Sequence, residues 1–170
     1  KPPIKKFLPD PLHVLMHPKT LVIDLTGTTV TSNFRFGKGL QVIKRPGFDK
    51  MLRHLSQLYE IVIFSDDDYN TIMNIMPFVD PRMMIVVGAF GRESMVLSNG
   101  GYYKDLSYLN REMRNIVVLD KSADKVLKQK RNVIKLPEFK GDETDKELIE
   151  LLPLLERNFT FRLRLGFSLS

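Results

Sequence analysis

Five short apolar runs, spaced along the chain, limit what it can fold into more than any other feature. They are Leu21 to Asp24, Ile61 to Phe64, Met83 to Val87, Ile116 to Asp120 and Val133 to Leu136. Each is too short for a helix, and its apolar residues stand at successive rather than alternate positions. That is the pattern of a strand covered on both faces. Helix-patterned segments lie between the runs. Phe48, Met51, Leu52, Leu55 and Leu58 recur at helical spacing after Pro46, which suits a first helical position. A second helix is predicted from the Ser65-Asp66-Asp67-Asp68 run, one of whose side chains caps it, to about Phe78, with Asp80-Pro81 as its stop. Asp142 or Thr144 opens a last helix with Leu148, Leu151, Leu152 and Leu155 on its apolar side. Apolar strands alternating with helices predict an α/β fold with an open, mostly parallel sheet.

Three segments fall outside this alternation. Residues 31–42 are mixed and contain glycine, which predicts a loop or an irregular ribbon. MVLSNGGYYKDL reads as a β-hairpin that turns at Asn99-Gly100-Gly101, where positive φ is cheap. The closing FTFRLRLGFSLS alternates like a strand but follows a helix, so it is expected to be an extra edge strand or a disordered tail. The expected organisation is a proline-rich extended arm at 1–18, a domain at 19–158 and that tail at 159–170.

Composition narrows the functional classes. A chain of 170 residues suits one domain with an ordinary core, and without cysteine it has no disulfide or thiolate metal site. No run approaches the ~18 apolar residues that span a bilayer. A net charge of +6 suits acidic partners such as nucleic acid or anionic lipid. The basic residues are scattered, however, with no aromatic-interleaved stripe, so nucleic acid is not an expected partner. His13, His17 and His54 lack the spacing of a zinc site and receive no role.

Ligands of an open parallel sheet collect at the carboxyl ends of its strands. Three runs end there in polar groups, Asp24, Ser65 and Asp120, and Lys104 at the end of the hairpin arm can reach the same rim. An aspartate, a hydroxyl, a lysine and a second carboxylate are the parts of a phosphoaspartyl enzyme. The first carboxylate attacks phosphorus, the lysine and hydroxyl hold phosphate oxygens, and Mg²⁺ offsets the gathered negative charge.

TLVIDLTGTTVTS, KRPGF, YEIVIFS, FGRES, YYKDLSYLNRE, NIVVLDKS and FKGDETDKELIELLPLLE stand in the order of one family. The chain resembles the carboxy-terminal-domain phosphatase branch of the haloacid dehalogenase superfamily over roughly residues 19 to 158. The resemblance implies a Rossmannoid sheet with an inserted β-hairpin. It implies Asp24 as phosphoryl acceptor, Ser65 as phosphate-binding hydroxyl, Lys104 as phosphate clamp and Asp120 beside the metal. Two positions depart from it: Thr26 stands where the general-acid aspartate belongs, and Lys121 where a metal-binding asparagine belongs. A threonine hydroxyl is too weak an acid to protonate a leaving alkoxide, and an ammonium cannot coordinate Mg²⁺. The expectation is a pseudophosphatase with no metal and no cofactor, its pocket of Asp24, Thr26, Ser65, Lys104, Asp120 and Lys121 vestigial. Lys121 either pairs with Asp24 or Asp120 in the place of the cation or turns outward. If it turns outward, Asp24→Asn is expected to be harmless or stabilising.

Within that branch, DLTGTTV, LSQLYEIVIFS and KDLSYLNRE, with its Asn110, are similar to the presequence-receptor group of the mitochondrial inner-membrane translocase. That likeness implies a domain in the intermembrane space that binds mitochondrial targeting peptides and a translocase channel subunit. It also implies a membrane anchor and a targeting sequence ahead of residue 1. The alternative is a Mg-dependent phosphatase acting on phosphoserine peptides or lipid phosphates. Partner-binding candidates are Met95, Leu97, Tyr102 and Tyr103 on the hairpin, and Asp66, Asp67 and Asp68 as a carboxylate cluster for basic peptides. Met73, Met76, Met83 and Met84 are read as core or as the lining of an adaptable groove.

Overall fold

The computed structural model describes residues 6–11, 19–127 and 130–166, with side chains in the last helix described as far as residue 157. Nine strands and three α-helices occur in this range, beginning with the central strand β1 (Lys19–Ile23). The main sheet also contains β4 (Tyr59–Phe64), β5 (Val86–Phe90), β8 (Ile116–Asp120) and β9 (Val133–Lys135). Its order is β5-β4-β1-β8-β9 and every pairing in it is parallel. Two antiparallel ribbons stand outside it, β2 (Val30–Arg35) with β3 (Gly39–Lys44) and β6 (Val96–Ser98) with β7 (Gly101–Tyr103).

The unbroken apolar runs have a direct cause. Leu21 and Ile23 of β1 face one core, together with Ile61, Ile63 and Leu119. Helices α1 (Phe48–Leu55), α2 (Tyr69–Val79) and α3 (Glu147–Gly166) cover that face with Phe48, Met51, Leu55, Ile72, Ile75, Leu148 and Leu155. Val22, Val62, Phe64 and Val118 face the other core. Among the described residues, no α-helix contributes to that second cluster. It is closed by the 3₁₀ turn Leu106–Leu109, by Val126 and by Leu8 of the amino-terminal segment. Phe7 stacks on Phe90 at 4.8 Å and meets Phe64 edge-on at 6.1 Å, so this part of the proline-rich arm is a lid on the sheet.

Several expectations are corrected. The third apolar run begins its strand at Val86 rather than Met83. The buried Asp80 carboxylate accepts the N–H groups of Met84, Ile85 and Val86, which turns the chain before pairing can start, and Met83 takes a φ of 52°. Met83 and Met84 are therefore exposed, while Met76 packs against the core. Pro46 lies before α1, which starts at Phe48 after Gly47 at φ 85°. Helix α3 starts at Glu147, whose N–H is accepted by Asp145. Residues 159–166 continue α3 instead of forming a strand. The expected stretch at 167–170 lies outside the described residues, as do His13 and His17.

Candidate functional site

Asp24 follows the last residue of the central strand, where the chain must leave the sheet, and its carboxylate is fully buried. The threonine cluster after it organises the exit. Leu25 O accepts the N–H groups of Thr28, Thr29 and Val30. Thr29 Oγ1 donates to Asp24 O at 2.8 Å, and Thr28 Oγ1 donates to Asp24 Oδ2 at 2.6 Å. Adjacent strands bring the other parts. Ser65 follows β4, with its Oγ 3.0 Å from Asp24 Oδ1 and 2.7 Å from Asp67 Oδ2. Asp120 ends β8 and is fully buried. Lys104, also fully buried, is fixed by backbone bonds to Lys125 and Leu127 at the end of β7.

Lys104 Nζ lies 3.0 Å from Asp24 Oδ1, 3.0 Å from Asp66 Oδ1 and 2.6 Å from Asp120 Oδ2. Lys121 does not turn outward. Its Nζ donates to Asp24 Oδ2 at 3.1 Å and to the Thr26 carbonyl at 2.7 Å. Gly27, at φ 81°, permits this seat: a Cβ there would sit 2.9 Å from Lys121 Cδ. The Thr26 hydroxyl is buried without a hydrogen-bond partner.

The electrostatics follow from this packing. Burial drives the Asp24 carboxyl upward, but Lys104 and Lys121 outweigh it and hold the group at about 2. Asp120 is pushed up to about 6, by burial and by the Asp24 charge. Burial pulls the Lys104 ammonium down, yet the surrounding carboxylates outweigh that and raise it. Lys121 is raised on the same balance.

A divalent cation is what the phosphatase resemblance implies here, and Asp24, Asp66 and Asp120 do offer oxygens within 4.8 Å of one another. The donor set does not fit one. Lys104 already bridges all three carboxylates, and Lys121 takes both the second Asp24 oxygen and the Thr26 carbonyl. Two fixed ammonium groups supply the positive charge that a metal would bring, and like charge repels a further cation at such distances.

The structure thus brings Asp24, Thr26, Ser65, Lys104, Asp120 and Lys121 together. The three consecutive aspartates are occupied within the protein. Asp66 pairs with Lys104, Asp67 accepts the Thr26 N–H and lies on Ser65, and Asp68 caps α2 by accepting Thr71 N–H. On the hairpin, Leu97 and Tyr102 are cross-strand partners and are exposed, whereas Met95 packs against the second core and Tyr103 is half-buried. His54 pairs with Glu156 at 2.7 Å.

One supporting group was missed in the sequence. Arg45 is buried and makes a two-pronged pair with Asp145, at 2.9 and 2.8 Å. It also donates to Thr28 O and Pro137 O, tying the loop after Asp24 to the segment from Pro137 to Asp145. The only local signal was the motif Lys44-Arg45-Pro46-Gly47-Phe48, which does not reveal a distant partner.

A parallel sheet whose central strand delivers an aspartate to a serine, a lysine and a second aspartate defines an aspartate-nucleophile phosphatase architecture. The chain belongs to the NLI interacting factor-like phosphatase family, whose model matches residues 19–162. Among curated relatives it is 40% identical over 156 residues to the Neurospora crassa mitochondrial import inner membrane translocase subunit tim50, covering 92% of this chain and 29% of that one. The Gibberella zeae subunit of the same name is 38% identical (92% and 30% covered), and the Arabidopsis thaliana one 33% identical (92% and 41%). The chain therefore spans less than half the length of these relatives. Its fold is similar to that of Fcp1, an essential RNA polymerase II CTD phosphatase, with a TM-score of 0.62 at 20% identity over 89% of this chain and 54% of that one.

Proposed function

We propose that this domain is a non-catalytic, phosphatase-shaped receptor of mitochondrial protein import at the inner membrane. It faces the intermembrane space and binds the targeting peptides of incoming proteins and a channel subunit of the translocase. The seat of Lys121 carries the loss of catalysis: its ammonium takes the Asp24 oxygen and the Thr26 carbonyl. Thr26 compounds it, because general acid–base catalysis is worth roughly 10²–10⁴-fold and a threonine hydroxyl supplies none near neutral pH. Import as the setting rests on the relatives' names and on the DLTGTTV and KDLSYLNRE segments. With the Asp66–Asp68 carboxylates engaged internally, the exposed Leu97 and Tyr102 are the better docking groups.

The test has two arms. The purified chain is assayed on a phosphoserine peptide and a lipid phosphate in millimolar Mg²⁺, and is crosslinked to a basic amphipathic targeting peptide. The expected result is no turnover above an Asp24→Asn control, with saturable crosslinking. Mg²⁺-dependent turnover that Asp24→Asn abolishes would establish the phosphatase alternative. Crosslinking no stronger than to a scrambled peptide of equal charge would remove the receptor reading.

A further inference from the structure

Between Asp24 and Asp49 the chain has no acidic residue, while it has four basic ones: Arg35, Lys38, Lys44 and Arg45. Most of this stretch is the β2–β3 ribbon. At the ribbon's base, Lys44 pairs with Asp49, Arg45 with Asp145, and Val42 packs against the main core. The far end is different. Residues 33–38 are all exposed, Phe34 at 75% and Phe36 at 102%. Among the described residues, neither Arg35 nor Lys38 has an ion-pair partner. The turn is made by Gly37 at φ 78° and Gly39 at φ 73°, and nothing lies within 4 Å of where a Cβ would stand on either. The tip projects with two bare aromatic rings, Arg35 standing between them in sequence and Lys38 just beyond.

We propose that the tip of the β2–β3 ribbon is a membrane-insertion element. Phe34 and Phe36 enter the boundary between headgroups and acyl chains of a bilayer, while Arg35 and Lys38 hold its anionic lipids. Aromatic rings settle at that depth, and long basic side chains bury their stems while keeping their charge in the headgroup layer. Each basic residue near an anionic surface adds attraction, and no carboxylate in this stretch opposes it. A protein partner fits less well. Anchor side chains of a protein interface stand amid a packed surface that excludes water, whereas these rings flank a turn with nothing within 4 Å of a Cβ at Gly37 or Gly39. Single-stranded nucleic acid fits less well too, because its binders line a groove that tracks the backbone, whereas this tip projects. The proposal stands independently of the receptor reading.

The chain has no tryptophan, so a Phe36→Trp variant reports on the tip alone. Co-sedimentation and emission spectra are measured with vesicles of phosphatidylcholine doped with phosphatidylglycerol, and with phosphatidylcholine alone. The expected results are binding to the anionic vesicles, a blue shift of the Phe36→Trp emission on them, and little of either on neutral ones. Binding should fall about tenfold or more in Phe34→Ser/Phe36→Ser and in Arg35→Glu/Lys38→Glu. Leu97→Ser/Tyr102→Ser should bind the vesicles like the parent. Unshifted emission, or vesicle binding that survives both tip variants, would overturn the proposal. It is equally overturned if the tip variants lose self-association or binding to a poly-uridine strand but keep the vesicles. Melting temperatures check that the tip variants fold, and a collapse of stability in both would show that the tip is structural instead.

Discussion

On the proposed receptor reading, Asp24 serves the pocket as a structural group. Its two oxygens receive Ser65, Thr28, Lys104, Lys121 and the Asp66 N–H, and these bonds hold the pocket together. The paired Lys121 decides the sign of the neutral substitution. Asp24→Asn leaves two ammonium groups short of a partner, one of them fully buried. Breaking a buried pair costs ~3–5 kcal/mol, and relief of the like charge on Asp120 returns part of that, so a loss of about 2–3 kcal/mol is expected in urea unfolding. A variant as stable as the parent would mean that Lys104 is held by Asp66 and Asp120 alone. The converse change is Thr26→Asp with Lys121→Asn, which removes the tethered cation and frees the Asp24 oxygen and the Thr26 carbonyl. Millimolar Mg²⁺ should raise the melting temperature of that double variant and leave the parent unmoved. A parent melting temperature that rises with Mg²⁺ would show that the ammonium groups yield to the metal.

Two ribbons leave the sheet body, and in each the face a side chain takes decides its use. In the β6–β7 hairpin, strand alternation puts Val96 and Tyr103 on one face and Leu97 and Tyr102 on the other. The outer pair is exposed, so Leu97→Ser/Tyr102→Ser should weaken binding to a translocase channel subunit by well over tenfold, about 2 kcal/mol or more, with little change in melting temperature. Unchanged affinity with earlier melting would make the hairpin a packing element. The hairpin was legible in the sequence because Asn99-Gly100 fixes the turn, with φ of 48° and 77°. The core strands were legible because burial on both faces leaves an unbroken apolar run. The start of β5 was not, since Asp80 takes backbone N–H groups that the apolar run alone would assign to a strand. Nor was the end of α3, where FTFRLRL has a strand's alternation but continues a helix already formed, and propagation costs less than a new start. The pocket residues announced themselves at strand ends. Arg45 with Asp145, and Arg111 with Glu60 at 2.7 Å, did not, because ion pairs between distant positions leave no local pattern.

At the scale of the whole molecule, the pocket imposes a pH dependence of its own. The folded protein holds Asp120 at about 6 against an ordinary value of 3.8, so between those values it binds more protons than the unfolded chain. Its contribution therefore favours folding as pH falls from 7 toward 4. Asp24 works in the opposite sense. Held at about 2, it lends stability that is complete above pH ~4 and is lost as pH falls from there to ~2. Asp80 and Asp145, both lowered, lose their contributions on the same acid side: burial raises Asp80 but its three backbone N–H donors prevail, and Arg45 lowers Asp145. From these groups, stability is expected to peak near pH 5 rather than at neutrality. A shift of one unit is worth about 1.4 kcal/mol, and taking up this one proton on Asp120 between pH 7 and 5 adds about 1 kcal/mol. Urea midpoints at pH 7, 5 and 3 should rise and then fall. Asp120→Asn should remove the rise while keeping the fall, because its amide cannot take up the proton. A midpoint that declines steadily from pH 7, or a rise that persists in Asp120→Asn, would mean that Asp120 is already protonated at neutrality or that another group sets the acid response.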